Sequence, residues 1–432
     1  MNPEKTAFNL GLRDFLDSAP TPFHAVLELS KSLLAAGFTR LDESDDWSLE
    51  APGKYFVTRN DSSIIAFVKG AQDPLEGGVR MVGAHTDSPC LMVKPQPDIY
   101  SNGYLQLGVE VYGGALLNPW FDRDLSIAGR IVLESDEGRL SQQLIDFKRP
   151  VAMIPSLAIH LDRDANKNRS INPQTDIPPI LMRAEKDCNF KQLIEKTFAP
   201  AGARVMDYEL CLYDVQRAAE LGFDNEFFSS ARLDNLLSCY IATQALINAD
   251  GQHHCLMVCS DHEEVGSLSA SGADGPFLEN VVARMLGTPV NHGRVLNRSL
   301  LISCDNAHAL HPNFKALHDG QHQPVLNGGP VIKVNVKQRY ATNSLTSALF
   351  RKLCSDADIP VQTFVSRSDL GCGSTIGPIT AARMGVPTLD VGVAQLAMHS
   401  CRETAGVDDP IRLARALQSF FNLSGSLSIA SA

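Results

Sequence analysis

The sequence predicts an α/β protein, in which a three-layer domain with a mostly parallel central sheet is interrupted by an inserted β-rich domain. Three observations lead to this prediction. From about residue 232 onward, helical and strand patterns alternate, as in a parallel sheet with helices on its faces. Short β-like runs with Gly, Pro and Asn punctuation fill residues 95–230. An apolar run at 79–84 is typical of a buried strand. We therefore place the first domain at 1–92 and 232–432, and the insertion at 93–231.

The elements follow from apolar spacing along the chain. Residues 7–16 and 23–36 have helical spacing, and residues 54–69 and 79–84 are typical of strands. Within the insertion, we predict β runs at 105–112, 126–134 and 151–159 and a polar loop at 162–175. In the last part, we predict helices at 233–249, 276–286, 343–356, 375–384 and 409–423. Strands alternate with them at 254–259, 299–304, 330–336, 361–366 and 387–391.

The composition excludes several classes of protein. Hydrophobic residues make up 44% and charged residues 20% of the 432, as in a globular protein. The net charge of −11 argues against nucleic-acid binding. Ten cysteines without CxxC pairs indicate reduced thiols, and with them a cytoplasmic location. No apolar run approaches the roughly 18 residues of a membrane span, and charges interrupt the N-terminal segment where a signal peptide would be apolar.

A histidine and an aspartate follow the predicted strand at 79–84. His85 can offer a neutral imidazole to a metal ion, and Asp87 points the same way in an extended segment. Asp87 can therefore bind the far ring nitrogen and fix which nitrogen faces the ion. Alone, this pair is weak evidence, because most such pairs are surface polar residues.

Four further segments place acids or histidines at the ends of predicted elements. They supply Asp234, Glu263, Glu264, Asp305 and His399. Singly, each has an ordinary explanation, such as a helix N-cap for Asp234. Together with His85, they offer two imidazoles and several carboxylates, a donor set that suits zinc, cobalt or manganese. Without Glu263, this set has five ligands. Five exceed one tetrahedral site and fit two ions that share a bridging carboxylate. Of the adjacent pair Glu263 and Glu264, one can bind metal while the other acts as general base toward a metal-activated water.

The remaining motifs say less about the function of the protein. The nucleotide-binding pattern GxxxxGK[ST] is absent. Cys372 has no evident base beside it, so we interpret it as structural. Gly371 to Gly373, before a predicted helix, can offer backbone N–H groups to a carbonyl or carboxylate. Lys333 interrupts an apolar β run, so it either faces solvent or supplies a cation to an acidic group.

Several of these segments resemble the signature segments of the aspartyl aminopeptidase family, which are cytosolic dinuclear zinc aminopeptidases. The resemblance rests on HTDSP, ARLDN, DHEEVGS, DNAHALHPN, QLAMHS, PSLAIHLDR, GGPVIKVNVKQRYATN and GCGSTIGPITAARMG, and it covers nearly the whole chain. It implies removal of N-terminal Asp or Glu from peptides. It also implies a two-domain subunit, with an inserted dimerisation domain, that assembles into a tetrahedral dodecamer.

The resemblance assigns roles residue by residue. Two divalent ions per subunit, zinc in preference to cobalt or manganese, would be held by His85, Asp234, Glu264, Asp305 and His399. Asp234 would bridge the two ions, Glu263 would be the general base, and Asp87 would orient His85. His160 matches a histidine that reaches the site from a neighbouring subunit. The pocket for the acidic side chain would contain His308, Lys333, Tyr340 and Gly373. One departure is Gly371, where the family pattern leads us to expect Pro.

Two other functions stay open at this point. A deacylase or carboxypeptidase on a similar scaffold would need a base for the C-terminal carboxylate of its substrate. A non-catalytic scaffold or cargo shell would not need Glu263 or a complete ligand set. The preferred partners are acidic peptides and further copies of the chain, with no nucleic acid and no membrane.

Overall fold

A computed structural model describes residues 3–184, 188–287, 291–425 and 427 of the chain. Residue contacts divide the chain into two compact units. The first unit contains Met1–Asp87, Ala218–Met398 and Glu403–Ala432, and the second contains Ser88–Arg217 and His399–Arg402.

The elements are numbered along the whole chain. The helices are α1 (Pro3–Ser18), α2 (Pro22–Ala35), α3 (Pro74–Gly77), α4 (Ala165–Asn168), α5 (Phe190–Phe198), α6 (Leu233–Ile247), α7 (Phe277–Leu286), α8 (His292–Asn297), α9 (Ser344–Asp356), α10 (Ile376–Met384) and α11 (Asp409–Phe421). The strands are β1 (Thr39–Arg40), β2 (Gly53–Arg59), β3 (Ser63–Lys69), β4 (Val79–His85), β5 (Cys90–Ser101), β6 (Tyr104–Tyr112), β7 (Leu125–Glu134), β8 (Leu140–Asp146), β9 (Ile180–Arg183), β10 (Arg204–Asp214), β11 (Ala219–Leu221), β12 (Phe227–Ser230), β13 (His254–Ser260), β14 (Leu300–Cys304), β15 (Ala307–His308), β16 (Val331–Lys333), β17 (Gln362–Phe364), β18 (Thr388–Gly392), β19 (Ala394–Leu396) and β20 (Glu403–Gly406).

The first unit is built on a nine-stranded sheet with the order β1-β2-β3-β13-β4-β14-β18-β16-β17. The four central strands β13, β4, β14 and β18 are parallel. β3 and β16 pair with this central group in the antiparallel direction. The predicted α/β class is therefore confirmed as a mixed α/β fold with several sheets, and the three-layer arrangement stays a prediction.

The central strands are buried on both faces of this sheet. On β4, Val82 and Ala84 belong to a hydrophobic cluster with residues of α1, α2, α6 and α11. Val79 and Met81 belong to a second cluster with residues of α7. Alternate side chains enter different clusters because successive residues of a strand point to opposite faces. This explains why β4 reads as a continuous apolar run rather than an alternating one.

One charged side chain is buried within this strand. Arg80 is fully buried, and its guanidinium donates hydrogen bonds to the main-chain carbonyls of Leu423 at 2.5 Å and Gly425 at 3.3 Å. A third bond reaches the carbonyl of Gly77 at 3.3 Å. Buried charge is tolerated where it is hydrogen-bonded, so these carbonyls compensate Arg80 and hold the segment after α11 against β4.

A smaller sheet, with the order β11-β12-β20-β19-β15, also belongs to the first unit. β12 pairs with β20 in the antiparallel direction, with Ser230 opposite Glu403. This pairing keeps β11 and β12 in the first unit, and the long segment of the second unit runs from Ser88 to Arg217. The domain boundaries drawn from the sequence stay predictions.

The second unit contains a six-stranded antiparallel sheet with the order β8-β7-β10-β5-β6-β9. The β runs predicted at 105–112 and 126–134 correspond to β6 and β7. Its core packs strand side chains such as Leu107 and Ile127 against Phe190 and Ile194 of α5. α5 has the amphipathic pattern of a helix with one buried face.

The strand predicted at 151–159 is wrong. Isolated bridges join Leu125 to Ala152 and Met153 to Ile180, without a continuous ladder in this segment. Pro150 and Pro155 supply no N–H group for a ladder, which explains the interruption. The polar loop predicted at 162–175 contains a single helical turn, α4. Within the described part of the chain, no helix combines the length and apolar character that a membrane crossing needs.

Candidate metal centre

The candidate site lies where parallel strands of the nine-stranded sheet end. β4, β13 and β14 run in one direction and end at His85, Ser260 and Cys304. Residues just beyond these ends therefore share one edge of the sheet, which is where open α/β sheets bind ligands. Four predicted site residues follow these ends, namely Asp87, Glu263, Glu264 and Asp305.

An imidazole and several carboxylates converge at this edge. One potential ligand atom each from His85, Asp234 and Glu264 lies within 4.8 Å of the others. Nε2 of His85 is 3.5 Å from Oδ1 of Asp234 and 3.7 Å from Oδ1 of Asp305. It is 4.0 Å from Oε2 of Glu263. The first unit thus brings together four predicted ligands and the predicted base.

The orientation of the His85 ring is fixed by Asp87. Nδ1 of His85 lies 3.0 Å from the main-chain carbonyl of Asp87 and 3.4 Å from its carboxylate Oδ1. A carbonyl can only accept a hydrogen bond, so Nδ1 carries the proton. Nε2 is then the nitrogen left to bind a metal ion, and it faces the carboxylates of Asp234 and Asp305.

Asp87 also contacts the backbone of the segment that follows β13, which the sequence did not indicate. Its carboxylate accepts hydrogen bonds from the main-chain N–H groups of Glu263 at 3.1 Å and Glu264 at 3.0 Å. Asp87 is 1% exposed, so these bonds form in a desolvated setting. The carboxylate therefore sets the position of the short 3₁₀ turn at Glu263–Val265, which carries the predicted base and a predicted ligand.

The crowding of carboxylates changes the acidity of the site. Burial lowers the pKa of His85, but hydrogen bonding to Asp234 and Asp305 outweighs burial and raises the pKa well above its ordinary value. Burial raises the pKa of Glu263 to about 7, with His85 opposing and nearby carboxylates such as Asp305 reinforcing the rise. A carboxyl group with a pKa near neutrality can exchange a proton at physiological pH.

Asp234 is held by contacts on both sides at the start of α6. Its own backbone is extended rather than helical, with φ −86° and ψ 101°. Its N–H donates to Oε2 of the buried Glu403 at 3.0 Å. The neighbouring Asn235 donates from Nδ2 to the carbonyl of Cys304 at 2.7 Å, which ties the helix start to the end of β14. Glu403 was not predicted, and its only signal is its position shortly after His399.

Lys333 is buried, which excludes the solvent-facing position considered from the sequence. Its Nζ donates to Oδ2 of Asp305 at 3.0 Å and to the carbonyl of Asn306 at 3.2 Å. Lys333 is 1% exposed. A predicted pocket cation is therefore in direct contact with a predicted metal ligand.

The other predicted pocket residues lie around Lys333 and beyond it. The Tyr340 ring centroid is 5.0 Å from Nζ of Lys333. Burial, followed by hydrogen bonding to Cys372, raises the pKa of Tyr340. Cys372 thus contacts a buried phenol, which agrees with its structural interpretation. His308 is exposed and packs edge-on against Phe364, with ring centroids 5.7 Å apart.

Two glycines shape the loop before α10. Gly373 is exposed, and a side chain there would meet nothing within 4 Å. The same holds for Gly371, so no close contact accounts for the absence of the expected Pro. Thr375 caps α10 by accepting a hydrogen bond from the N–H of Gly377 at 3.2 Å. The loop therefore leads into a helix start, as the sequence predicted for this segment.

Two predicted site histidines belong to the second unit. Nδ1 of His399 lies 3.1 Å from the carbonyl of Gly114, so Nδ1 carries the proton and the lone pair lies on Nε2. This is the tautomer that a ligand through Nε2 requires. His160 is exposed in a turn, with Ile159 and Leu161 beside it 49% and 75% exposed. Their roles at the site stay predictions.

The residues of the first unit fit a divalent metal. An imidazole grouped with carboxylates is the donor set that zinc, cobalt and manganese prefer. The carboxylates of Asp234 and Glu264 lie close to each other and to His85. Asp305 lies 3.7 Å from Nε2 of the same imidazole and contacts the buried Lys333 on its other side. Such an excess of buried negative charge is expected to be balanced by a bound cation.

This strand-edge cluster, with a glutamate of near-neutral pKa beside it, is the arrangement of a metal-dependent hydrolase. Residues 15–421 match the family model described as Aminopeptidase I zinc metalloprotease (M18). The chain therefore belongs to the M18 family and is a metallo-aminopeptidase, which confirms the family resemblance drawn from its motifs.

Similar proteins agree with this assignment. The chain is 56% identical to a probable M18 family aminopeptidase 2 of Pseudomonas entomophila, covering 96% of this chain and 98% of that protein. It is 55% identical to the probable M18 family aminopeptidase 2 of Pseudomonas aeruginosa strain UCBPP-PA14, over the same shares.

Solved structures share the fold. A chain in a cryo-EM structure of the Ape4 and Nbr1 complex has a TM-score of 0.92 and 39% identity, covering 97% of this chain and 86% of that one. A structure of the S. cerevisiae mApe1 dodecamer has a TM-score of 0.85 and 28% identity, covering 97% of each chain. An M18 aminopeptidase from Thermotoga maritima, at 24% identity and a TM-score of 0.86, supports the fold alone and covers 98% of this chain and 97% of that chain.

Proposed function

We propose that this protein is an aspartyl aminopeptidase that removes N-terminal Asp or Glu from peptides with two divalent ions per subunit. The observation that carries the proposal is the grouping of His85, Asp234 and Glu264 next to Glu263 at the sheet edge. The acidic specificity rests on the motif resemblance and on a buried cation, Lys333, in the same cluster.

Within this proposal, the ions would be held by His85, Asp234, Glu264, Asp305 and His399. The family resemblance implies that Asp234 would be the ligand shared by both ions. Its carboxylate lies 3.5 Å from Nε2 of His85, and its N–H is held by Glu403. When bound, zinc lowers the pKa of water and polarises a substrate carbonyl. Cobalt and manganese suit the same donors.

Glu263 is the group that moves the proton. It takes a proton from the attacking water and delivers it to the leaving amine, so its carboxyl must change state near neutral pH. Its pKa of about 7 in the metal-free cluster is compatible with that exchange. Asp87 holds the turn at Glu263 through a main-chain hydrogen bond, so the base is placed without restricting its side chain.

Selection of an acidic side chain needs local positive charge, because the protein carries a net charge of −11. Lys333 has three donor hydrogens, and two of them face Asp305 and Asn306. Within this proposal, the third would serve a substrate carboxylate. Tyr340, His308 and the backbone at Gly373 complete the proposed pocket.

We extend the proposal to assembly as a tetrahedral dodecamer of identical subunits. A relative of the same fold is described as a dodecamer. In the segment around His160, the side chains of Leu157, Ile159 and Leu161 are 58%, 49% and 75% exposed, which favours contact with another subunit. His160 would then donate a hydrogen bond to the developing oxyanion in a neighbour's site. The cytoplasmic location expected from the sequence stays a prediction.

A matched peptide series tests the function. Asp-, Glu- and Ala-initiated peptides of otherwise equal sequence should be compared, together with an N-acetylated Asp-peptide. We expect release of the first residue from the acidic peptides, slower release from the Ala-peptide, and none from the acetylated one. Activity lost to a chelator should return with zinc. Cleavage at the C-terminus, or of the acetyl group, would instead favour the carboxypeptidase or deacylase. No hydrolysis by the metal-loaded protein would favour the non-catalytic shell.

A further inference from the structure

We propose that Lys333 is a positioning residue for Asp305 and contributes to metal binding whatever the substrate. The proposal rests on the proposed function, because it concerns the same site. It differs from a selector role, in which Lys333 touches only the acidic side chain of the substrate.

The contact itself is direct and buried. Nζ of Lys333 donates to Oδ2 of Asp305 at 3.0 Å, and both residues are shielded, with side-chain exposures of 2% and 12%. A second bond from Nζ reaches the carbonyl of Asn306 at 3.2 Å, which is the next residue of the same segment. The ammonium therefore holds both the side chain and the backbone at the end of β14.

The two oxygens of Asp305 have different partners. Oδ2 faces the Lys333 ammonium, and Oδ1 lies 3.7 Å from Nε2 of His85, on the side of the metal cluster. A carboxylate can rotate about its last bond, and a charge-assisted hydrogen bond to one oxygen limits that rotation. Without Lys333, Oδ2 would lose its charged partner while remaining buried, and Oδ1 would no longer be directed to the cluster.

Two further groups surround the Lys333 side chain. The ammonium lies over the face of Tyr340, 5.0 Å from the ring centroid, where a cation is attracted by the π-system. The fully buried Asp390 is a second acid in its surroundings, and the charge of Lys333 opposes the rise that burial causes in the pKa of Asp390.

Asp390 also ties the neighbouring pocket segments to this network. It accepts hydrogen bonds from the N–H of Ala341 at 2.6 Å and from the hydroxyl of Thr375 at 2.6 Å. The groups around Lys333 are thus themselves held by hydrogen bonds. A residue that positions another needs such fixed surroundings.

The test compares metal affinity with catalysis. Lys333→Met removes the ammonium, and Lys333→Gln replaces it with a neutral amide NH₂ group, which can still donate. Lys337→Met is the matched control, because Lys337 is exposed in the same segment. Zinc affinity should be measured by chelator competition on the metal-free proteins. Of the two proposed zinc ions, the one bound less tightly should be affected. We expect Lys333→Met to bind it with an affinity about 10–100-fold lower, since loss of a group that supports a ligand typically has this effect. Lys333→Gln should be intermediate, and Lys337→Met unchanged.

A double-mutant cycle with Asp305→Asn provides the readout that a general structural role would not reproduce. If Lys333 acts through Asp305, Lys333→Met should add little to the loss of zinc affinity in the Asp305→Asn background. Additive losses in this background would overturn the proposal. Wild-type zinc affinity in both Lys333→Met and Lys333→Gln would also overturn it. If Lys333→Met fails to fold, Lys333→Gln and its own cycle decide the question.

Peptide assays separate the two possible failures. A positioning residue predicts that Lys333→Met lowers kcat/KM on Ala-peptides as well as on Asp-peptides. A loss confined to Asp-peptides, with zinc affinity intact, would assign Lys333 to substrate selection alone. A wild-type protein without a preference for acidic N-terminal residues would overturn the proposed specificity. The zinc affinities of the Lys333 variants would still test the positioning role, because they do not depend on the substrate.

Discussion

The carboxylate of Asp87 accepts a hydrogen bond from the main-chain N–H of Glu263 at 3.1 Å. The second carboxylate oxygen does the same for Glu264 at 3.0 Å. One buried acid thus links the end of β4 to the turn that follows β13. This contact joins the imidazole side of the site to the side that carries the proposed base.

Asp87→Asn should damage the site although it is nearly isosteric. An asparagine has a single side-chain acceptor, so one of the two amides would face an NH₂ group instead of an oxygen. We expect a loss of about 10–100-fold in kcat/KM, with weaker zinc retention. Steady-state kinetics and elemental analysis would measure both. Asp45→Asn, at an exposed aspartate, is the control. Normal kinetics in Asp87→Asn would show that the turn needs no such support.

Glu263→Gln should keep the fold and the metal but lose turnover. The amide cannot accept a proton from water, so we expect kcat to fall by about 10²–10⁴-fold. Glu279→Gln, at an exposed glutamate of α7, is the matched control. Metal content and thermal unfolding should be measured alongside the kinetics. Near-full activity of Glu263→Gln with metal bound would move the base to another residue.

Subunits should complement one another if His160 serves a neighbour's site. His160→Ala and Glu263→Gln subunits would each be inactive alone, while a mixed assembly would contain some sites with both residues intact. We expect activity to reappear when differently tagged subunits are reassembled and the mixed species is purified. The absence of any recovery in a verified hybrid would contradict a shared site.

The gently purified protein should contain about two transition-metal equivalents per subunit. Elemental analysis before and after incubation with zinc, cobalt or manganese would measure this. His399→Ala should lower the count, because His399 is one of the five proposed ligands. A wild-type value that stays at one equivalent with every metal would rule out the dinuclear site.

Acid sensitivity should have a component from His254, away from the metal centre. Burial, and next the charge of Lys69, lowers the pKa of His254 from 6.5 to about 4, with Asp73 opposing and His253 reinforcing. Nδ1 of His254 accepts a hydrogen bond from the N–H of Gly70 at 3.1 Å, which requires the neutral ring. The unfolded chain then binds this proton more readily. The contribution to stability is complete above the unfolded pKa and is lost as the pH falls toward the folded one, by about 2 kcal/mol at pH 5.

His254→Gln should therefore flatten the pH dependence of the free energy of unfolding between about pH 7 and pH 5. Urea unfolding of chelator-treated protein isolates this effect from metal loss. His322→Gln, at a half-buried ring beside Asp319, is the control. Equal slopes for wild type and His254→Gln would exclude His254 as a source of acid sensitivity.

The sequence predicted the elements that carry strong periodicity. The buried strands β4, β13 and β14 and the long helices α6 and α9 lie where their apolar patterns place them. The strand prediction for 151–159 failed because apolar residues there suggested a ladder of hydrogen bonds. Pro155 within the segment and Pro150 just before it cannot donate to such a ladder. β8 was missed because it is largely exposed and has little apolar signal.

At the site, residue types could be predicted more readily than contacts. Position at a strand end indicates His85, Glu264 and Asp305, because parallel strands end at a common edge. The pairing of Lys333 with Asp305 could not be predicted, since it depends on which face of β16 meets the end of β14. The same holds for Glu403, whose carboxylate contacts a backbone group rather than a motif side chain.

The anchoring of Arg80 to the carbonyls of Leu423 and Gly425 bears on how the chain is made. β4 leaves the ribosome long before β13 and β14, which flank it in the sheet. The partners of Arg80 leave later still, after α11. His85 therefore emerges on a strand whose sheet neighbours have not yet been made, and Arg80 stays without these partners until the segment after α11 has emerged. We expect nascent chains to depend on chaperones through this interval, and metal loading to follow the emergence of that segment.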